Sequence, residues 1–204
     1  MVSAAASSRL YLVLPAKLTA IFVNGLTRVL TEWEPACILL SDDASEAEPG
    51  LVPRLREVTA AREVALLVAN DPERAEAIGA DGVHLPPDVA RFEEARGRLG
   101  QRAIIGVGCI ESRHDAMVMA ELGADYIGFG PGPGDRQAEL IAWWSEIFVV
   151  PSVAFEVEMP EAAERLLGLG VDFAAPSPRL WQGEAALERI GAVAAALRRG
   201  RSAA

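Results

Sequence analysis

Few residues in this sequence are of a type that does chemistry, and most of those are carboxylates. They stand just beyond short apolar runs: Ser41-Asp42-Asp43, Asn70-Asp71, Pro87-Asp88, Glu111, Glu156, Glu158 and Ser177. The cations in comparable positions are Lys17, Arg136 and Arg179. One glycine-rich stretch, Gly130 to Asp135 (GPGPGD), has the composition of a loop that cradles phosphate. Its two prolines remove backbone donors, so a tight turn accounts for it as well. Asp71 precedes a proline and reads equally as a helix N-cap or as a ligand. Asp88 reads first as a cap. His84 closes an apolar run and reads as a structural histidine, whereas His114 follows a capping serine, Ser112, and reads as solvent-facing. Trp143 and Trp144 are adjacent on one helix: one should pack inward and the other could mark a contact between subunits.

Composition narrows the choice of partner. The 204 residues are 51% hydrophobic and 24% charged, with a formal net charge of −10. A protein that binds phosphate backbones or an anionic membrane surface needs a basic face, and no basic stripe is present. A small-molecule substrate or ligand is the partner to expect, with no nucleic acid and no membrane; a homo-oligomer is possible. Cys37 and Cys109 lie far apart, inside apolar runs, without the spacing of a metal or redox pair. Buried, reduced thiols fit the cytoplasm. The opening segment, Met1 to Lys17, lacks the charged start and long apolar run of a secretory leader. No stretch approaches the ~20 apolar residues of a membrane span.

The elements that must position these residues alternate from end to end. Apolar, β-rich runs occur at Arg9–Pro15, Ala36–Ser41, Val64–Asn70, Asp81–Pro86, Ala103–Ile110, Asp125–Pro131, Pro151–Val157 and Asp172–Ser177. Each run is followed by an amphipathic stretch. Asp71-Pro72 and Ser112 start helices; Gly123, Gly170 and Gly200 end them. Runs that are apolar throughout rather than alternating are buried on both faces, as in a parallel sheet covered by helices. Eight such units predict a single compact (β/α)8 barrel of the α/β class spanning residues 1–204, with residues 1–8 and 201–204 loose. A Gly-x-Asp signature recurs at Gly79–Val83, Gly123–Ile127 and Gly170–Ala174. In such a barrel the site lies at the C-terminal ends of the strands, where the chemistry-bearing residues fall.

Two segments carry a resemblance. VANDPERAEAIGADGVHLPPD (Val68–Asp88) and IIGVGCIESRHDAMVMAELGADYIGFGPGPG (Ile104–Gly134) are similar to the thiamine-phosphate synthase and thiazole tautomerase superfamily. The resemblance implies a transferase that joins an aminopyrimidine pyrophosphate to a thiazole phosphate and releases pyrophosphate, with Mg2+. It implies that Asn70 contacts substrate, that Asp71 and Asp88 ligate Mg2+, and that Gly130 belongs to the substrate loop. Lys17, Arg136 and Arg179 are the candidates for holding phosphate.

The sequence also departs from that family. Where a Gln-x-Arg-x-Lys cluster is expected after the second strand, it reads LLSDDA. A serine is replaced by Gly108, a Thr-x-Thr-Lys loop by GPGPGDRQ, and a Gly-Gly-Ile phosphate loop by AFEVEMP. The tautomerase branch places a histidine after the sixth strand, where Pro131 stands. Each change removes an anion-binding element. Like charges ~4 Å apart cost about 1 kcal/mol in water and roughly 4 near a protein surface. Three functions therefore stay open: a divergent synthase, a non-catalytic relative that binds a small molecule or a partner protein, and a barrel enzyme repurposed for a substrate without phosphate.

Overall fold

The computed structural model describes residues 10–15, 20–41, 50–131 and 135–202. Strands β1 (Tyr11–Val13), β2 (Cys37–Leu40), β3 (Ala65–Ala69) and β4 (Gly82–Leu85) alternate with helices α1 (Ala20–Trp33), α2 (Leu51–Ala60), α3 (Pro72–Ala77) and α4 (Val89–Leu99). The second half repeats the plan with β5 (Ile104–Ile110), α5 (Arg113–Glu121), β6 (Tyr126–Phe129), α6 (Arg136–Ile147), β7 (Ser152–Val157), α7 (Pro160–Gly168), β8 (Phe173–Pro176) and α8 (Ala186–Ser202). A short 3-10 turn, Pro178–Trp181, precedes α8. All pairings are parallel and run in sequence order, and a bridge between Leu10 and Ala174 brings β8 back to β1. This is the predicted (β/α)8 barrel, and each predicted run contains its strand.

Two packed layers follow from the pleat, because successive side chains on a strand face opposite ways. Tyr11, Val13, Cys37, Leu39, Leu67, Tyr126 and Val153 fill the barrel interior. Ile38, Leu40, Leu66, Val68, Val83, Ile105 and Ile127 point outward and are covered by the helices. Both parities are apolar, which is why the strands read as unbroken runs. Cys37 and Cys109 are free and buried, as expected.

The Gly-x-Asp signature has a structural cause. At each occurrence glycine adopts a left-handed backbone, with φ of 64° at Gly79 and 92° at both Gly123 and Gly170. The next N–H then reaches back to the helix: Ala80 to Ala75 O, Ala124 to Met119 O, and Val171 to Leu166 O. This is the Schellman ending. The following aspartate turns onto the start of the preceding strand. Leu66 N–H donates to Asp81 Oδ2 at 2.8 Å, Ile105 N–H to Asp125 Oδ2 at 2.8 Å, and Ser152 N–H to Asp172 Oδ2 at 2.8 Å. Asp81 and Asp125 return the bond through their own N–H groups, to Leu66 O and Ile105 O. Arg56 and Arg96 pair with Asp81 and Asp125 at 3.3 and 2.9 Å. In the first quarter of the barrel the corresponding residues are Glu34-Pro35-Ala36. The backbone bond from Ala36 N–H to Leu10 O is kept, but no carboxylate is present there.

Glycine serves a second purpose inside the barrel. A Cβ on Gly106 would lie 1.8 Å from the Tyr126 ring, and one on Gly82 would lie 1.8 Å from Ile104 O. The aromatic rings of the interior therefore rest on bare backbone. One expectation needs correction: α8 does not end before Gly200 but continues to Ser202. A helix tolerates an interior glycine at a cost of about 1 kcal/mol.

The aspartate clamps predict a specific cost. Asp125→Ala leaves the buried Ile105 N–H without an acceptor and should lower stability by about 2–3 kcal/mol in denaturant unfolding. Asp125→Asn keeps an acceptor oxygen and should lose clearly less. Equal losses in the two variants would sink the account.

Candidate active site at the barrel mouth

The mouth is formed by strand ends that depart from regular β geometry. Asn70 after β3, Ile110 ending β5 and Glu156 in β7 all have positive φ, at 55°, 48° and 59°. The last two coincide with register shifts in the β5–β6 and β7–β8 pairings. Asn tolerates this region, but Ile, being β-branched, adopts it at a cost of order 1–3 kcal/mol. Strain of this kind collects at functional sites. Three alternate strands therefore curl over one opening.

Below them lies a cavity of about 490 Å3, lined among others by Asn70, His84, Gly108, Gly128, Gly130 and Glu156. Of the residues singled out by sequence, the cavity brings together Asn70, His84, Gly108, Gly130 and Glu156. Asp71 and Asp88 are exposed and cap α3 and α4, accepting from Arg74 N–H at 2.8 Å and Arg91 N–H at 3.0 Å through Oδ1. Arg91 also donates to Asn70 O, tying α4 to the end of β3. Arg136 donates to Glu111 O and sits 3.7 Å from Glu139. Arg179 is 3.9 Å from Glu158. Neither arginine is among the residues lining the cavity. Lys17, Asp42, Asp43 and the Gly132–Gly134 stretch lie outside the described residues.

Glu156 is the charged group that does line the cavity. Its Oε2 accepts from Ser177 Oγ at 2.5 Å, and Ser177 is fully buried. Nearby, Gln137 Nε2 donates to both Phe129 O and Phe155 O at 2.8 Å, stapling the ends of β6 and β7. Nothing in the sequence marks Gln137, because both its partners are backbone carbonyls.

His84 has more than the structural role read from sequence. Its Nδ1 lies 2.9 Å from Tyr126 Oη, and its ring stacks on Tyr126 and leans on Phe155. A Cβ on Gly108 would come within 2.8 Å of its Nε2, so the glycine makes room for the ring. The ring joins the cavity wall on this side. Burial pushes its pKa from 6.5 to about 4, so the imidazole is neutral near pH 7. His114 is exposed, as expected. Trp144 is buried against Phe129, while Trp143 is half-buried under the Arg113 guanidinium, 4.7 Å from its ring. Arg113 covers part of the tryptophan within the chain.

The depressed His84 value has a sign. Between pH 6.5 and about 4 the unfolded chain binds a proton that the folded chain excludes, so stability falls as pH drops through that window. At about 1.4 kcal/mol per unit the group accounts for up to about 3 kcal/mol. His84→Gln should flatten that part of the stability–pH curve. A slope unchanged from wild type would contradict the assignment.

Comparison with known proteins agrees with this architecture. The family model described as thiamine monophosphate synthase matches residues 10–177. The thiamine-phosphate synthase of Rhodospirillum centenum is 36% identical over 184 residues, covering 85% of this chain and 89% of the relative. That of Erythrobacter litoralis is 35% identical, covering 87% and 90%. Among solved structures, the thiamine phosphate pyrophosphorylase of Pyrococcus furiosus superposes with a TM-score of 0.76 at 22% identity, covering 95% of this chain and 97% of that one. The native KDPGal structure reaches 0.74 at 14% identity, so shape alone does not separate families within this fold. The match in sequence over most of the chain does separate them: this chain belongs to the thiamine monophosphate synthase family.

Proposed function

We propose that the chain is a transferase of the thiamine-phosphate synthase type, joining an aminopyrimidine pyrophosphate to a thiazole phosphate at the barrel mouth. The observation that carries this reading is the Asn70-Asp71 pair, with Asn70 in the cavity wall and Asp71 next to it in sequence, capping α3. Mg2+ is held by one or two carboxylates together with substrate phosphates and water. The chain fits that mode, not an all-protein cage: the described residues contain no group of three candidate ligands. Asp71 and Asp88 each use Oδ1 for a cap bond, which leaves Oδ2 to face an incoming ion. Asp71 and Asp88 would hold such an ion together with substrate, and it would supply positive charge to offset that on a departing pyrophosphate. Gly128 lets the Phe155 ring lie close over the backbone, and that ring, in the cavity wall, gives a flat heterocycle a face to pack on. The reaction is placed in the cytoplasm, in keeping with two free, buried thiols.

A second reading has its own support. No cation lines the cavity among the described residues, and Glu156 stands where the family holds phosphate. Arg136 and Arg179 are each drawn to a glutamate. A mouth of this charge suits a heterocycle without phosphate, bound without turnover or converted by different chemistry.

Mixing the protein with Mg2+, the pyrimidine pyrophosphate and the thiazole phosphate, and measuring thiamine phosphate, separates the two. The transferase reading expects product, reduced at least about tenfold by Asp71→Asn, which removes the charge but keeps a cap acceptor. No product from wild type, together with calorimetric binding of the unphosphorylated thiazole alcohol, establishes the second reading instead. Glu156→Gln should raise affinity for the thiazole phosphate by about tenfold, since a like-charge contact is worth roughly 1–4 kcal/mol. Unchanged affinity would place the phosphate away from Glu156.

A further inference from the structure

A row of polar atoms crosses the otherwise apolar barrel interior. Tyr11 Oη lies 2.7 Å from Tyr126 Oη, and Tyr126 Oη lies 2.9 Å from His84 Nδ1. The Cys37 thiol lies beside Tyr11 in the barrel interior at the far end, close enough to influence its hydroxyl. Tyr11 and Tyr126 are 2% and 6% exposed, so each hydroxyl proton must be placed within the row. At the near end His84 reaches the mouth cavity, and among the described residues its Nε2 has no hydrogen-bond partner.

The protons can be ordered in two ways. In one, His84 Nδ1–H donates to Tyr126, Tyr126 to Tyr11, and Tyr11 to the Cys37 sulfur. In the other, every bond runs in reverse, from the Cys37 thiol through Tyr11 and Tyr126 to a bare Nδ1. A neutral imidazole nitrogen is a far stronger acceptor than a phenol oxygen or a thioether-like sulfur, and a phenol is a stronger donor than an imidazole N–H. The reverse order puts the best donor on the best acceptor. The first order ends on sulfur, a weak acceptor, in a medium where weak bonds are not made good by water. Burial keeps every member neutral: it raises both tyrosines well above 10 and lowers His84 to about 4.

We propose that Tyr126, backed by Tyr11, holds His84 as the tautomer with bare Nδ1 and protonated Nε2, so that the mouth presents a fixed neutral N–H donor. Tyr126 is thus a positioning residue acting through His84. The ligand must offer that donor an acceptor, a ring nitrogen or a carbonyl oxygen. Glu156, on the same cavity, offers an acceptor to an N–H or O–H of the ligand. This assignment stands whether or not the mouth performs the transfer.

Histidine-labelled protein and a long-range proton–nitrogen correlation spectrum test it. The chain has 2 histidines, so His114→Gln assigns the signals. The expected wild-type pattern is a protonated-type Nε2 and a bare-type Nδ1, unchanged from pH 8 to pH 5. Tyr126→Phe should move both nitrogens toward the averaged shifts of a freely exchanging imidazole. Tyr11→Phe should leave Nε2 protonated, since Tyr126 can still donate. A protonated Nδ1 in wild type overturns the proposal, as does a Tyr126→Phe spectrum identical to wild type. Should Tyr126→Phe fail to fold by circular dichroism, the wild-type spectrum alone still decides, because the opposite order requires Nδ1–H.

Discussion

Much of this barrel depends on a carboxylate accepting an N–H from the first or second residue of a strand. A buried strand start leaves a backbone donor that must find a partner. Asp81, Asp125 and Asp172 supply that partner for β3, β5 and β7. In doing so they fix where each strand begins relative to its neighbour. The side-chain period of a strand is two, so a slip of one residue would exchange inward and outward faces. With Asp125 on Ile105, Gly106 pairs with Tyr126, and the tyrosine ring lies over the glycine rather than in the helical layer. From that position Tyr126 reaches both Tyr11 and His84. The geometry of the mouth is in this sense set from the base.

The same three strands that begin under an aspartate end in or beside a left-handed residue. Regular clamps at one end and strained ends at the other divide the labour of the fold. The base specifies register, while the mouth bends backbone over a cavity. Glycine at positions 108 and 128 makes room for the rings of His84 and Phe155, which join the cavity wall. At the β7 end of the mouth stands a carboxylate held by Ser177, and Arg136 and Arg179 lie 3.7 and 3.9 Å from exposed glutamates.

The eight strands, the barrel and the caps at Asp71, Asp88 and Ser112 were legible in sequence because each rests on local periodicity or a local hydrogen bond. The Gly-x-Asp signature was visible, but not its purpose, since the aspartate bonds a strand some twenty residues away. His84 reads as a core histidine because its partner, Tyr126, lies 42 positions along the chain. The covering of Trp143 by Arg113 was hidden for the same reason. Glu156 stood out as a charge in place of a phosphate loop; its left-handed backbone and its bond to Ser177 did not, because both depend on the bulge between β7 and β8.

The first quarter of the barrel lacks the aspartate that the other three possess, with Glu34 left-handed where they have glycine. Across the neighbouring seam, among the described residues, β8 meets β1 in a bridge at Leu10 and Ala174, and Trp181 Nε1 reaches over to Val13 O at 2.8 Å. Local opening draws on the least supported elements of a fold. The barrel therefore has a built-in order of breathing. Amides of β1 and of the β8 seam should exchange with solvent through small partial openings, while those of β3 and β5, each gripped at the base, await the loss of the whole structure. The closed ring behaves as an open sheet whose two edges are only lightly joined.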